Sequence, residues 1–209
     1  MSKTNFPLIT GKFYHIYNRG NNSATVFFEE RNYQYFLRLY EQYINPVATT
    51  YAYCLMKNHF HILVRIKTEQ ERLVGAEGKL SEISELKPAW RHFNNFFIAF
   101  AKGMNKAYER SGSMMEKPYR RKLIDSDYYF LKLITYIHLN PQKHRQTTDY
   151  RYWPWSSYQE LQLPQKQQKI ISGPEVLELC GGFKAFQAIH TLQVHELETS
   201  GDSIEDLFH

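Results

Sequence analysis

Tyr53-Cys54-Leu55-Met56-Lys57-Asn58-His59-Phe60-His61-Ile62-Leu63-Val64 is the stretch from which the fold is read. β-branched and aromatic residues are dense in it and charge is nearly absent, which is a strand signature. Side chains alternate faces along a strand, so His59, His61 and Leu63 share one face while Phe60, Ile62 and Val64 share the other. Two imidazoles then stand with Cα atoms roughly 6.6 Å apart, close enough for ring nitrogens to converge on one divalent ion. Half-buried histidines bonded to backbone satisfy the same spacing. The pair becomes informative only if the chain also supplies a third ligand and a nucleophile.

Working outward, Val47 to Lys67 reads as two strands with a turn near Lys57-Asn58. Upstream, Glu29 to Ile44 is helical, with Tyr33, Phe36, Leu37, Tyr40 and Ile44 on one face, and Asn45-Pro46 ends it. Before that, residues 11–19 alternate as a first strand, and Gly20-Asn21-Asn22-Ser23 is a turn. Downstream, the polar stretch Gln70 to Pro88 is a loop or a short helix. Trp90 to Arg110 is a long helix in which Lys102, Lys106 and Arg110 form one basic stripe. Lys117 to Ile124 is a basic edge strand, since Pro118 lacks a backbone donor. Ser126 or Asp127 caps the next helix, which is expected to end near Asn140 because Pro141 follows. Gln159 to Lys169 is glutamine-rich and reads as a linker, followed by short helices over 174–181 and 183–197. The acidic end is expected to be mobile. These elements make an α+β chain with an antiparallel sheet and helices packed on one face. Residues 1–158 form the main domain, and 159–209 form a linker and helical extension.

The 209 residues are enough for one compact domain. A net charge of +5 suggests a polyanionic partner, and 16 Tyr with 14 Phe allow stacking on single-stranded nucleic acid as well as core packing. Cys54 and Cys180 are far apart and read as reduced thiols. With no apolar leader near Met1 and no membrane-length apolar run, the expected location is the cytoplasm and no membrane partner is expected.

A second constellation is Thr135-Tyr136-Ile137-His138-Leu139-Asn140-Pro141. Tyr136 and Asn140 are one helical turn apart and project to the same side. That suits a tyrosine nucleophile beside a third ligand. It equally suits an interfacial tyrosine and an asparagine that closes a helix.

His59-Phe60-His61 matches the HUH signature, and the chain resembles the REP-associated tyrosine transposases of the single-tyrosine HUH transposase family. The resemblance is carried by Tyr14-His15-Ile16-Tyr17-Asn18-Arg19-Gly20-Asn21, Tyr53 to His61, Tyr136-Ile137-His138-Leu139-Asn140-Pro141 and Trp155-Ser156-Ser157-Tyr158, in the family's order. Met114-Met115 stands where an aromatic is common, and Lys57 where proline is frequent. The resemblance implies a ferredoxin-like sheet with the histidine strand central and the tyrosine helix beside it. It implies Tyr136 as nucleophile, with His59, His61 and Asn140 as ligands of a divalent metal, Mg²⁺ or Mn²⁺. It also implies cleavage and rejoining of single-stranded, hairpin-forming DNA through a 5′-phosphotyrosine, by a monomer or a homodimer. A non-catalytic DNA- or RNA-hairpin binder on the same scaffold is the alternative.

The residue types suit that chemistry. Neutral imidazoles and an amide leave a divalent ion most of its charge for polarising a phosphoryl oxygen. A covalent phosphotyrosine conserves the bond, so a free 3′-OH can rejoin the strand. His15, Arg19, Lys102, Lys106, Arg110, Arg120, Arg121 and Lys122 are the candidate DNA contacts, the cations by tracking phosphates. His138 and His144 flank the tyrosine and are read as structural residues or phosphate contacts.

Overall fold

A computed structural model describes residues 7–74 and 87–200, the side chains of 197–200 excepted. Most of the polar stretch before Pro88 and the acidic end past Ser200 lie outside the described residues. Four strands, β1 (Phe13–Arg19), β2 (Ala48–Leu55), β3 (His59–Ile66) and β4 (Arg120–Ile124), form one sheet in the order β2-β3-β1-β4, every pair antiparallel. Helices α1 (Glu30–Tyr43), α2 (Glu69–Val74), α3 (Ala89–Ala107), α4 (Asp127–Lys143), α5 (Ser157–Glu160), α6 (Gly173–Leu179) and α7 (Phe183–Ser200) complete the described chain. With α1 and α3 as crossovers, this is the ferredoxin-like β-α-β-β-α-β arrangement. The turn between β2 and β3 is Met56-Lys57-Asn58, as the pattern indicates, and β3 is central.

Alternation decides what each face carries. Tyr14, Ile16, Phe60, Ile62 and Val64 point to one face, where α1 and α3 close over them with Phe36, Phe93, Phe96 and Phe100. Those helices lie on one face, as expected. The sheet's opposite face carries a further layer. Helix α4 lies along β2 and β3, and Leu133, Ile137, Tyr158, Val176 and Phe186 build a second core there with Leu63, Tyr51 and Ala52. Gly20 ends β1 where a Cβ would lie 2.0 Å from the Ala24 carbonyl oxygen, so the turn admits only glycine.

Of the two cap candidates for α4 the first is used, while the expected helix end is not. Ser126 is the cap, its Oγ accepting from Tyr129 N at 3.2 Å. The helix does not end at Asn140 but continues through Pro141 to Lys143. A proline in the last turn removes only one ladder bond, and the His144 N–H still reaches the Asn140 carbonyl at 2.9 Å. The buried turn before it, from Ile137 to Pro141, holds the helix in register.

The segment after Tyr158 is pinned at several points. The Glu160 carboxylate accepts from Lys169 N at 2.5 Å and Ile170 N at 2.8 Å, and Ile171 bridges to Thr50 on the β2 edge. Helix α7 is tied to α4 by a buried chain of hydrogen bonds. His190 Nδ1–H donates to Phe186 O at 2.7 Å, so its Nε2 must accept from His138 Nδ1–H at 2.9 Å. His138 Nε2 then accepts from the Ser157 hydroxyl at 2.8 Å, whose oxygen accepts the Tyr53 N–H at 2.8 Å. His138 is thus structural, and burial beside His190 pushes its pKa well down.

Candidate active site

Register places the candidate side chains. Arg19 pairs with His59 and Tyr17 with His61 across β1 and β3, and Arg120 pairs with Tyr17 across β1 and β4. All therefore project to the α4 face. They line a cleft of about 610 Å³ with Asn18, Ser23, Asn58, Glu116, His144 and Gln146. The cleft is predominantly basic, and among the described residues Glu116 is its one carboxylate. Glu116 bonds Arg19 Nε and, at 3.2 Å, Arg120 Nη2, so one carboxylate holds both guanidiniums at the rim.

Helix α4 supplies the rest. The Tyr136 ring meets His61 edge-on at 5.4 Å between centroids, and the His144 ring meets His59 edge-on at 5.1 Å. Tyr136, Asn140 and His144 follow one another at four-residue intervals, one stripe of a helix. The two ends of that stripe touch the two strand histidines, and Asn140 lies one helical turn from each end. Its Nδ2 donates to Tyr136 O at 2.7 Å, while its Oδ1 is buried and has no hydrogen-bond partner. An orphaned carbonyl oxygen at that place is a donor waiting for an electrophile. Lys143 Nζ lies 5.7 Å from the Tyr136 ring centroid, a cation beside the phenol.

The hydrogen bonds of the histidines set their chemistry. His59 Nδ1 is 2.7 Å from Asn58 Oδ1, and an amide oxygen can only accept, so Nδ1 carries the proton and Nε2 the lone pair. His61 Nδ1 is 2.9 Å from His15 Nε2. Among the described residues, no three His, Cys, Asp or Glu side chains group as a metal site. Were a divalent ion held here, a third protein ligand would be of another type, and the Asn140 amide oxygen is one. The donor set fits a divalent ion such as Mn²⁺, which accepts imidazole and carbonyl together.

The candidate contacts divide between the faces. His15 is 0% exposed, which removes it from any DNA surface; it stacks on Tyr17 and bonds His61 instead. Arg19 and Arg120 are at the cleft. Lys122 shares their face, with its Nζ 5.3 Å from the Tyr129 ring centroid. Arg121 points the other way, opposite Ile16, and donates to Tyr119 OH at 3.1 Å. Lys102, Lys106 and Arg110 belong to α3 and its end, beyond that same face, and of the three Lys102 lines a neighbouring cavity that shares Asn18 and Glu116 with the cleft. Glu116, Asn58, Tyr17 and Lys143 went unread in the sequence. Only strand pairing and the helix stripe bring them to the site. His144, read there as a flanking residue, becomes a neighbour of His59.

No protein-family model and no curated protein matches this chain. A solved structure of a REP-associated tyrosine transposase bound to a REP hairpin is similar in fold, with a TM-score of 0.55 and 15% sequence identity, covering 77% of this chain and 84% of the other. Among the described residues, no helix is long and apolar enough to cross a membrane.

Proposed function

We propose that this chain is a transposase of the REP-associated tyrosine type, which cleaves and rejoins single-stranded, hairpin-forming DNA through a 5′-phosphotyrosine. The observation that carries the reading is the meeting of Tyr136 with His61, on an α4 stripe that also includes Asn140 and His144. The likeness in fold to a hairpin-bound tyrosine transposase supports it.

His59, His61 and Asn140 would hold a divalent metal, Mg²⁺ or Mn²⁺, which when bound would polarise a phosphoryl oxygen. The protein's own groups do the rest. Arg19 and Arg120 orient the phosphates that flank the scissile bond. The Tyr136 oxygen attacks phosphorus, the P–O3′ bond breaks, and the 3′ oxygen leaves as a hydroxyl. The proton lost from the phenol balances the one that the departing 3′ oxygen takes up, and the Lys143 cation beside the ring offsets the negative charge on the phenol oxygen as it attacks. Returning the 3′-OH of another strand to the phosphotyrosine reverses these bonds and releases Tyr136. With one such tyrosine per chain, both steps reuse Tyr136 or call on a second subunit.

One observation favours the alternative of a non-catalytic hairpin binder. Tyr136 is only 3% exposed and packs behind His61 instead of lining the cleft. The deciding experiment incubates the protein with labelled single-stranded hairpins in Mn²⁺, with and without EDTA, on a denaturing gel. A metal-dependent covalent adduct mapping to Tyr136 is the expected result. Tight hairpin binding with no adduct under any metal would establish the binder.

A further inference from the structure

His15 sits on β1, fully buried, with Nε2 2.9 Å from His61 Nδ1 and the two rings stacked at 5.1 Å. It touches the proposed chemistry only through His61. A hydrogen bond between two neutral imidazoles has two directions. If His15 donates, His61 carries its proton on Nε2. If His61 donates, Nδ1 carries the proton and Nε2 becomes the coordinating nitrogen.

We propose that His15 is a positioning residue which accepts the Nδ1–H of His61 and so fixes His61 as an Nε2 ligand. The inference rests on the reading of His59 and His61 as a metal pair. Its support is the parallel with His59, where an unambiguous acceptor, Asn58 Oδ1, makes the same demand on the same nitrogen. Two histidines two residues apart on one strand face then present the same atom to the same place. Tyr17, stacked on both His15 and His61 at 4.6 and 5.8 Å, clamps the rings in that orientation. Partners behind the ligands commonly set tautomer and ring angle in this way, and losing one lowers metal affinity by about 10- to 100-fold.

The test uses the full chain, metal-free and titrated with Mn²⁺. Nitrogen–proton correlation spectra of the histidine rings report which His61 nitrogen is protonated, and electron paramagnetic resonance reports free Mn²⁺. The expected wild-type spectrum shows His61 protonated at Nδ1. His15→Ala is expected to move that proton towards Nε2 and to weaken Mn²⁺ binding about 10- to 100-fold. His15→Gln, whose amide oxygen can take the same N–H, should stay closer to wild type on both readouts. If His15→Ala does not fold, His15→Leu fills the space without offering an acceptor. A wild-type His61 protonated at Nε2, or a variant lacking the acceptor that keeps wild-type tautomer and affinity, overturns the proposal. A wild type that binds no Mn²⁺ overturns the metal reading instead, and the ring spectra alone then decide whether His15 sets the tautomer.

Discussion

On the α1 and α3 side of the sheet, Phe36, Phe60, Phe93, Phe96 and Phe100 are wholly buried and pack ring on ring. On the α4 side, the buried rings include four imidazoles: His15, His61, His138 and His190. Both faces exclude water, yet they do different things. Aromatic packing is tolerant of direction and mainly stabilises. A buried imidazole is directional, so each hydrogen bond it makes fixes the angle of what it touches. One side of the sheet therefore supplies stability. The other supplies orientation, and it is the side on which the candidate chemistry sits.

The sharpest way to break that comparison is to remove one oxygen from the α4 side. Tyr136→Phe keeps the ring that packs on His61. Its unfolding free energy is expected to change by less than about 1 kcal/mol, and hairpin affinity should be unchanged. Covalent adduct should vanish from the denaturing gel. Undiminished adduct would move the nucleophile to another tyrosine, and the α4 face would then lose its claim to the reaction.

Next in size is a matched pair of core truncations. Phe36→Ala on the aromatic side and Phe186→Ala on the α4 side each delete a fully buried ring. Each is expected to cost about 3–5 kcal/mol in urea unfolding. They should differ in what else they disturb. The Phe186 ring packs on His190 at 4.3 Å and on His138 of the tyrosine helix at 5.9 Å between centroids. Phe186→Ala should therefore slow adduct formation under conditions where the protein is still folded, while Phe36→Ala should not. Equal rates in the two would mean that α7 stabilises without positioning.

The same contrast explains what could be read in the chain before its structure. The aromatic side was legible because Tyr33, Phe36, Leu37 and Tyr40, and Phe93, Phe96, Phe97 and Phe100, repeat at helical spacing. Strand β3 was legible from the alternation around His59 and His61. The interval from Tyr136 to Asn140 showed that two groups share a side, and that much is local. What sequence alone hides is pairing between distant segments. Nothing in the spacing says that Tyr17 stands opposite both His61 and Arg120, or that His15 is turned inwards onto His61. Arg120, Arg121 and Lys122 read as one basic run, but a strand sends the middle one to the opposite face. Pro141 does not end the helix, because a proline in the last turn removes only one ladder bond and the buried turn before it holds.

A smaller effect separates the faces by pH. Burial pushes His190 down to about 4, against a weaker upward pull from its bond to Phe186 O. The rings of His138 from α4, and of Tyr150 and Tyr158, surround it. A histidine held neutral in the fold contributes stability that is fully present above its unfolded pKa of about 6.5. That contribution is lost as pH falls from there through 4, by up to about 3 kcal/mol. Hydrogen exchange at pH 7 and pH 4.5 should therefore show α7 loosening in acid while α1 and α3 hold their protection relative to it. If α7 and α3 weaken together, the imidazole chain is not the acid-sensitive element.

The smallest effect tests the surfaces. Arg19 and Arg120 stand at the cleft beside His59, whereas Lys106 lies on α3, behind the aromatic core. If a single strand enters the cleft, its phosphates meet the first pair and pass the lysine by. Each phosphate contact releases a counterion, so each lost contact flattens the log–log dependence of affinity on salt by ~0.7 for single-stranded DNA. Arg120→Ala should show that flattening, with little change in which hairpin is preferred, because phosphates carry no sequence. Lys106→Ala should leave both slope and affinity at wild-type values. Glu116 makes the expectation stricter. Its carboxylate already bonds both arginines, so Arg120→Ala also frees Glu116 to engage Arg19 alone, and the expected loss is at least one full contact. The readout is fluorescence anisotropy of a labelled hairpin across a salt series, for both variants and wild type. A flattened slope in Lys106→Ala with none in Arg120→Ala would reverse the assignment and put the DNA on the aromatic side of the sheet.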